Sequence, residues 1–351
     1  MPNLRGQHER RRTRAEWLTM VRTSPYFPAT VLVLLVAAAA GLFAGSYTYA
    51  LANPTPRQLP IAVVGPPHAP PVSEFLARLS PTLDDSPAVH EYDTAAAARA
   101  AVEEQQVFAI VTAHPPGVRL EIASASGQSV AQLLTEAATT VSRAANIPVA
   151  VVDIVPLQRG DPHGLAIFYI SLAAVVIGFI GATQLSVHAA ALNPAERIGF
   201  TLAYSACGGL AIAAMVDWVL GAVRLPFAES WFILSLTMFT SGMVFTMFNT
   251  MVGRWAILPT WGLMVLLGNP SSGGAVSWPL LPSLLGHIGR WLPPGASVNA
   301  QHTAVYFGAH QHLFPFLVLA GWALISCAVF WIWRERHPGG RALDSAHTAG
   351  K

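Results

Sequence analysis

Residues 149–183, VAVVDIVPLQRGDPHGLAIFYISLAAVVIGFIGAT, join two kinds of chain. The first nine, Val149–Leu157, are rich in β-branched residues and read as a short strand. From Gly164 to Thr183 the chain carries no charge, and about 20 such residues suffice for a helix to cross about 30 Å of hydrocarbon. Between the two lies Gly160-Asp161-Pro162-His163-Gly164, a run of turn formers. A strand, a turn and then a membrane-length helix predict an α/β domain that returns the chain to a bilayer.

Composition extends that reading to the whole chain. Of 351 residues, 53% are hydrophobic and only 11% are charged, whereas soluble domains average about 25% charged. The sole lysine is Lys351. That excludes a Walker A phosphate loop, which needs an internal lysine, and it excludes a buried lysine Schiff base. Cys207 and Cys327 lie within apolar runs, so they read as small packing residues and not as a disulfide framework.

Six segments are long and apolar enough, or nearly so, to cross a membrane: 28–49, 164–186, 199–222, 231–252, a shorter 255–268, and 313–333. Tyr26, Tyr47, Trp231, Trp255, Trp331 and Trp333 mark their ends, as an interfacial aromatic belt does. With six crossings, twelve basic residues fall on the side of the arginine-rich N-terminal segment, and only Arg224 and Arg290 fall in the short loops opposite. The positive-inside rule then places both termini in the cytoplasm and the protein in the cytoplasmic membrane. The predicted fold is an α-helical polytopic membrane protein with an extracytoplasmic α/β domain inserted between helices one and two. Its parts are a cytoplasmic amphipathic N-terminus (1–25), a first crossing (26–52), the α/β domain (53–162), a five-helix membrane domain (163–333) and a cytoplasmic tail (334–351). Ala50-Leu51-Ala52 also fits a signal-peptidase site, but the preceding apolar run exceeds the usual 7–15 residues, which favours an uncleaved helix.

Residues 53–162 hold 17 charged residues. Strands are expected at 61–65, at 108–113 and 118–124 as a hairpin about His114-Pro115-Pro116-Gly117, and at 149–157. Helices are expected at 72–79, 95–106 and 128–145, the last with Val130, Leu133, Leu134, Ala137, Val141 and Ala144 along one face. Asp84-Asp85 and Glu91/Asp93 read as solvated acids in turns. No G-x-S-x-G or H-E-x-x-H occurs, so no enzyme, cofactor or metal site is expected.

Within the apolar helices, Asp217 stands out, because an ionisable group at that depth is costly unless paired or hydrated. It either pairs with Arg224, seven residues on, or lines a translocation path. His302, His310 and His312 recur near one another, but no Cys or acid in that loop completes a zinc set, and they read as interfacial polar residues. Gly41 and Gly45 form a G-x-x-x-G, which permits close helix packing. Residues 269–312 are expected outside, as a re-entrant or interfacial segment. There Leu284, Leu285 and Ile288, with Leu281 and Leu292, recur at helical spacing, Pro279 and Pro282 open the helix, and Pro293-Pro294-Gly295 stops it. Such a helix either caps the bundle or lines a pathway mouth.

Three stretches together, 152–183, the inner loop ALNPAERIGF (191–200) and 269–307, resemble the ABC-2 type permeases, in particular the phage infection protein-like (YhgE/Pip) group. The resemblance implies an export permease for a lipid or other hydrophobic or amphipathic compound, working as a homo- or heterodimer among membrane lipids, with the ATPase on a separate chain. By position, it implies ATPase coupling at Asn193, Pro194, Ala195, Glu196 and Arg197. Asp217, Arg224, Leu284, Leu285 and Ile288 are the translocation-path candidates. The same group implies an alternative: an envelope-anchored scaffold, phage-receptor-like or secretion-accessory, that transports nothing. Neither reading involves nucleic acid.

Overall fold

A computed structural model describes residues 26–84 and 86–337; the expected N-terminal amphipathic segment and most of the expected C-terminal tail lie outside the described residues. The chain divides into two compact units at Ser46/Tyr47. The first helix, α1, is Tyr26–Leu51. Among the described residues, five helices are long and apolar enough to cross a membrane: Tyr26–Leu51, Ala166–His188, Pro194–Val219, Phe227–Trp255 and Leu313–Arg336, with a shorter apolar helix at Ile257–Gly268.

Between α1 and the next long helix the chain folds into a five-stranded sheet in the order β2-β1-β3-β4-β5. Its strands are β1 (Leu59–Val64), β2 (Pro87–Tyr92), β3 (Ala109–His114), β4 (Gly117–Ile122) and β5 (Val149–Asp153). β1 runs parallel to β2 and β3, β3–β4 is an antiparallel hairpin, and β5 runs parallel to β4. Helices α2 (Val72–Thr82) and α4 (Gln128–Ala145) cover one face, packing Phe75, Leu79, Leu134 and Val141 on Ile61, Val111 and Leu120. Helix α3 (Ala95–Glu103) covers the other face with Ala98, Ala101 and Val102 against Ala62 and Ile110. Thr94 caps α3 by accepting from the Ala97 amide.

One strand runs counter to the sequence reading. Glu91 lies in edge strand β2 and not in a turn. An edge strand pairs on one side only and carries polar residues on its open faces, so PAVHEY lacks the apolar alternation of a half-buried strand.

The remaining helices are α5 (Ala166–His188), α6 (Pro194–Ala214, continued as a π-helical turn, Met215–Val219), α7 (Phe227–Val252), α8 (Ile257–Trp261, continued as π-helix to Gly268), α9 (Ser283–Gly289), α10 (Pro293–Tyr306) and α11 (Leu313–Arg336). α7 is the central post, packed on α5, α6, α10 and α11. The expected stop at Pro293-Pro294-Gly295 is a start instead: both prolines occupy the first turn of α10. The first turn has no use for their missing N–H groups, and their fixed φ suits helix entry.

α8 and α10 follow one another along α7. Ala256, Met264 and Val265 pack with Val244 and Phe245 in the lower part of α7. Ser297 meets Thr237 and Gln301 meets Ser230 progressively nearer its start. The two pieces abut where Gly268 lies against the Pro294 ring. Residues 269–292 leave from that break and return to it.

Candidate functional site

The excursion that leaves the break docks on the sheet domain. Leu280 is part of that domain's core and Val276 packs against it. The Trp278 ring stands 6.0 Å from Phe108, and Ser277 meets Ser129 Oγ at 3.0 Å through both its amide and its hydroxyl. The Arg57 amide donates to the Pro279 carbonyl at 2.9 Å, and Arg57 Nη1 donates to the Leu281 carbonyl at 2.6 Å. From the other side, Gln105 Nε2 donates to Thr303 Oγ1 of α10 at 2.9 Å. The apolar side chains in this Gly-, Ser- and Pro-rich run therefore include several that complete a protein core.

These contacts enclose a cavity of about 740 Å³ at the break, within the roughly 300–1,000 Å³ typical of ligand sites. One wall is Phe108, Ser124, Ser126, Gly127, Gln128 and Ser129 of the sheet domain. A second is Ser271, Ser272, Gly273 and Ser277 of the excursion, with Ser283, His287 and Arg290 of α9 and its C-terminal edge. A third is Val298, Asn299 and His302 of α10. Arg57, His163, Leu157, Ile167 and Trp278 also line it, and among the described residues no Asp or Glu does. Ser124 of the first wall donates its amide and hydroxyl to the Asp153 carboxylate. A smaller cavity of about 340 Å³, lined by Trp291, His312 and Phe314, shares Arg290 and Asn299 with the first.

The turn 160–164 braces the same region. Asp161, 8% exposed, accepts from the Leu165 and Ala166 amides at 3.0 and 2.9 Å and so caps α5. Gly164 has φ +66°, and a side chain there would meet Leu157 and Gln128, so both turn geometry and packing call for glycine. Gln158 links this turn to the loop before α7 by pairing with both backbone groups of Arg224, donating from Nε2 at 3.1 Å and accepting at Oε1 at 2.8 Å.

The sequence-based candidates scatter around the cavity without lining it. Leu284 is 68% exposed, Leu285 is 7% exposed and Ile288 is half-buried; the face of α9 that enters the cavity is the polar one. Asp217 sits in the π-helical turn that ends α6, a local widening often found at functional positions. It makes no ion pair with Arg224 among the described residues. Asn193 and Glu196 form a capping box, each side chain bonding the other's amide, with Pro194 in the first turn and Ala195 beside it. Arg197, 8% exposed, donates to the Ala189 carbonyl at 3.1 Å. All five therefore hold the entry of α6 in place. His310 lies 4.0 Å from Glu103 and His312 precedes α11. Among the described residues no group of three His, Cys, Asp or Glu is placed to hold a metal ion.

Cavity lining was missed in the sequence because it draws on five separated segments. The available signal was the polar face Ser283, His287 and Arg290, spaced as one side of a helix. No family model, curated protein or solved structure matches the chain.

Proposed function

We propose that the chain is the membrane permease subunit of an ABC-2-like exporter for a hydrophobic or amphipathic compound. α8 and α10 act together as one broken crossing, bringing the total to six, with the sheet domain and the cavity on the extracytoplasmic side. At 12 and 14 residues and about 1.5 Å per residue, the two halves together reach the length of one span. Twelve basic residues against two set the orientation, both termini inside.

The observation that carries this reading is the cavity at the break of a discontinuous helix. Irregular backbone at membrane depth is tolerated where it is covered by protein or lines a water-filled space, and transporters build substrate sites at such breaks. Because the chain has no Walker A lysine, energy comes from a separate ATP-binding subunit, which docks at the inner loop Asn193–Arg197 in a homo- or heterodimer. Affinity purification of the full chain in mild detergent, followed by mass spectrometry, tests this. A nucleotide-binding ATPase is the expected companion, and a homodimer that brings none supports the envelope scaffold instead.

A further inference from the structure

The cavity's charge is one-sided. Among the described residues, its charged lining groups are the two arginines, Arg57 and Arg290, with no acid. In the sheet domain, by contrast, Glu121, only 4% exposed, takes Arg99 Nε at 3.0 Å and Nη2 at 2.7 Å, with Arg119 Nε at 3.6 Å. That bond holds the Arg99 guanidinium above its ordinary pKa. Arg57 and Arg290, both open to solvent at the cavity, make no ion pair among the described residues. Arg57 uses one nitrogen on the Leu281 carbonyl, and Arg290 rests beside His287 at 3.4 Å and 5.9 Å from the Trp291 ring centre. A guanidinium carries five donors in a planar fork suited to phosphate oxygens. Ser126 Oγ, buried and without a hydrogen-bond partner, lies in the same wall. Beside these polar groups Phe108, Leu157, Ile167 and Val298 offer an apolar surface.

We propose that the cavity binds an amphipath with a net-anionic phosphate head, with the phosphate held by Arg57 and Arg290 and the apolar part against Phe108, Ile167 and Val298. The inference rests on the permease reading for its place in transport, but not for binding. A membrane lipid and a soluble phosphoester share the same head chemistry, so the probes separate them. Purified full chain in neutral detergent is titrated calorimetrically with dioctanoyl phosphatidate, dioctanoyl phosphatidylcholine and inorganic phosphate.

Saturable phosphatidate binding at least tenfold tighter than that of either other probe is expected. Arg290→Gln and Arg57→Gln should each weaken it about tenfold, and Arg57→Lys should recover part of the loss. Arg78→Gln, on the exposed face of α2, should leave it unchanged. Thermal unfolding of each variant separates lost binding from lost fold, and Arg290, which makes no backbone bond, guards the test if Arg57→Gln unfolds. Equal binding of phosphatidylcholine, or full affinity in a folded Arg290→Gln protein, overturns the proposal; inorganic phosphate binding as tightly as phosphatidate overturns its amphipathic part. Binding without any ATPase companion would refute the permease reading alone, whereas a companion ATPase without binding would refute the anion site alone.

Discussion

In the sheet domain the sealed interior consists of large apolar side chains, among them Leu59, Ile61, Phe75, Leu79, Leu120 and Leu134. Inside the helical bundle, the buried face of α7 interleaves large apolar side chains such as Ile233, Leu234, Met238 and Met243 with Ser230, Thr237, Thr240, Ser241, Gly242 and Thr246. Three of these hydroxyls reach across to neighbouring helices: Ser241 donates to the Val175 carbonyl at 2.7 Å, Thr240 contacts that of Leu319 at 3.2 Å, and Thr237 meets Ser297 Oγ at 2.8 Å. Tyr204 of α6 donates to the Gly178 carbonyl of α5 at 2.6 Å. Further large apolar groups of the bundle face outward, as at Ile177, Leu202, Phe232, Leu317 and Leu324. Water drives apolar surface inward in the first region. In lipid that drive vanishes between helices, and close approach plus interhelical hydrogen bonds hold them together. One interior is almost wholly apolar and the other mixes apolar with hydroxyl side chains, and the cavity is lined from both regions.

The contrast can be broken at three positions. Leu134→Ala, in the core of the sheet domain, should cost about 2–5 kcal/mol through lost burial and the void left behind, read as a lowered midpoint for that domain in chemical unfolding of the detergent-solubilised protein. A loss below about 1 kcal/mol would show that water-driven burial is not what holds this core. Gly178→Ala places a methyl against the Met238 backbone between α5 and α7. The overpacking should cost about 1–3 kcal/mol, with a corresponding fall in thermal midpoint; a neutral result would mean that the helices separate there at no cost. Ser241→Ala removes one interhelical bond and should cost only about 0.6 kcal/mol. A penalty as large as that of Leu134→Ala would mean that the bundle depends on individual hydrogen bonds far more than membrane interiors ordinarily do.

Much of this architecture is legible in one dimension. The amphipathic helix at 128–145 has the bounds that its apolar face predicts, because a 3.6-residue period over five turns leaves little freedom. The long apolar helices follow from the thickness of hydrocarbon alone. β2 is illegible because an edge strand need not alternate, and the Pro-Pro-Gly run at 293 is ambiguous because proline both ends helices and begins them. Which it does depends on the space into which the chain is directed, here the end of α8 at Gly268.

The site follows the same division. Helical spacing in residues 281–292 sets Leu284, Leu285 and Ile288 apart from Ser283, His287 and Arg290, but spacing defines faces and not what covers them: Leu284 is exposed and Leu285 buried. By itself the sequence determined which segments are long apolar helices and which are amphipathic, through apolar length, charge distribution and the period of its side chains, since these are properties of neighbours along the chain. Only the tertiary structure decided that Leu280 belongs to the sheet-domain core, that α8 and α10 stand end to end, and that Arg57 and Arg290, 233 positions apart, face one cavity. Those are meetings of distant segments, and they depend on the surfaces that the folded elements present to one another.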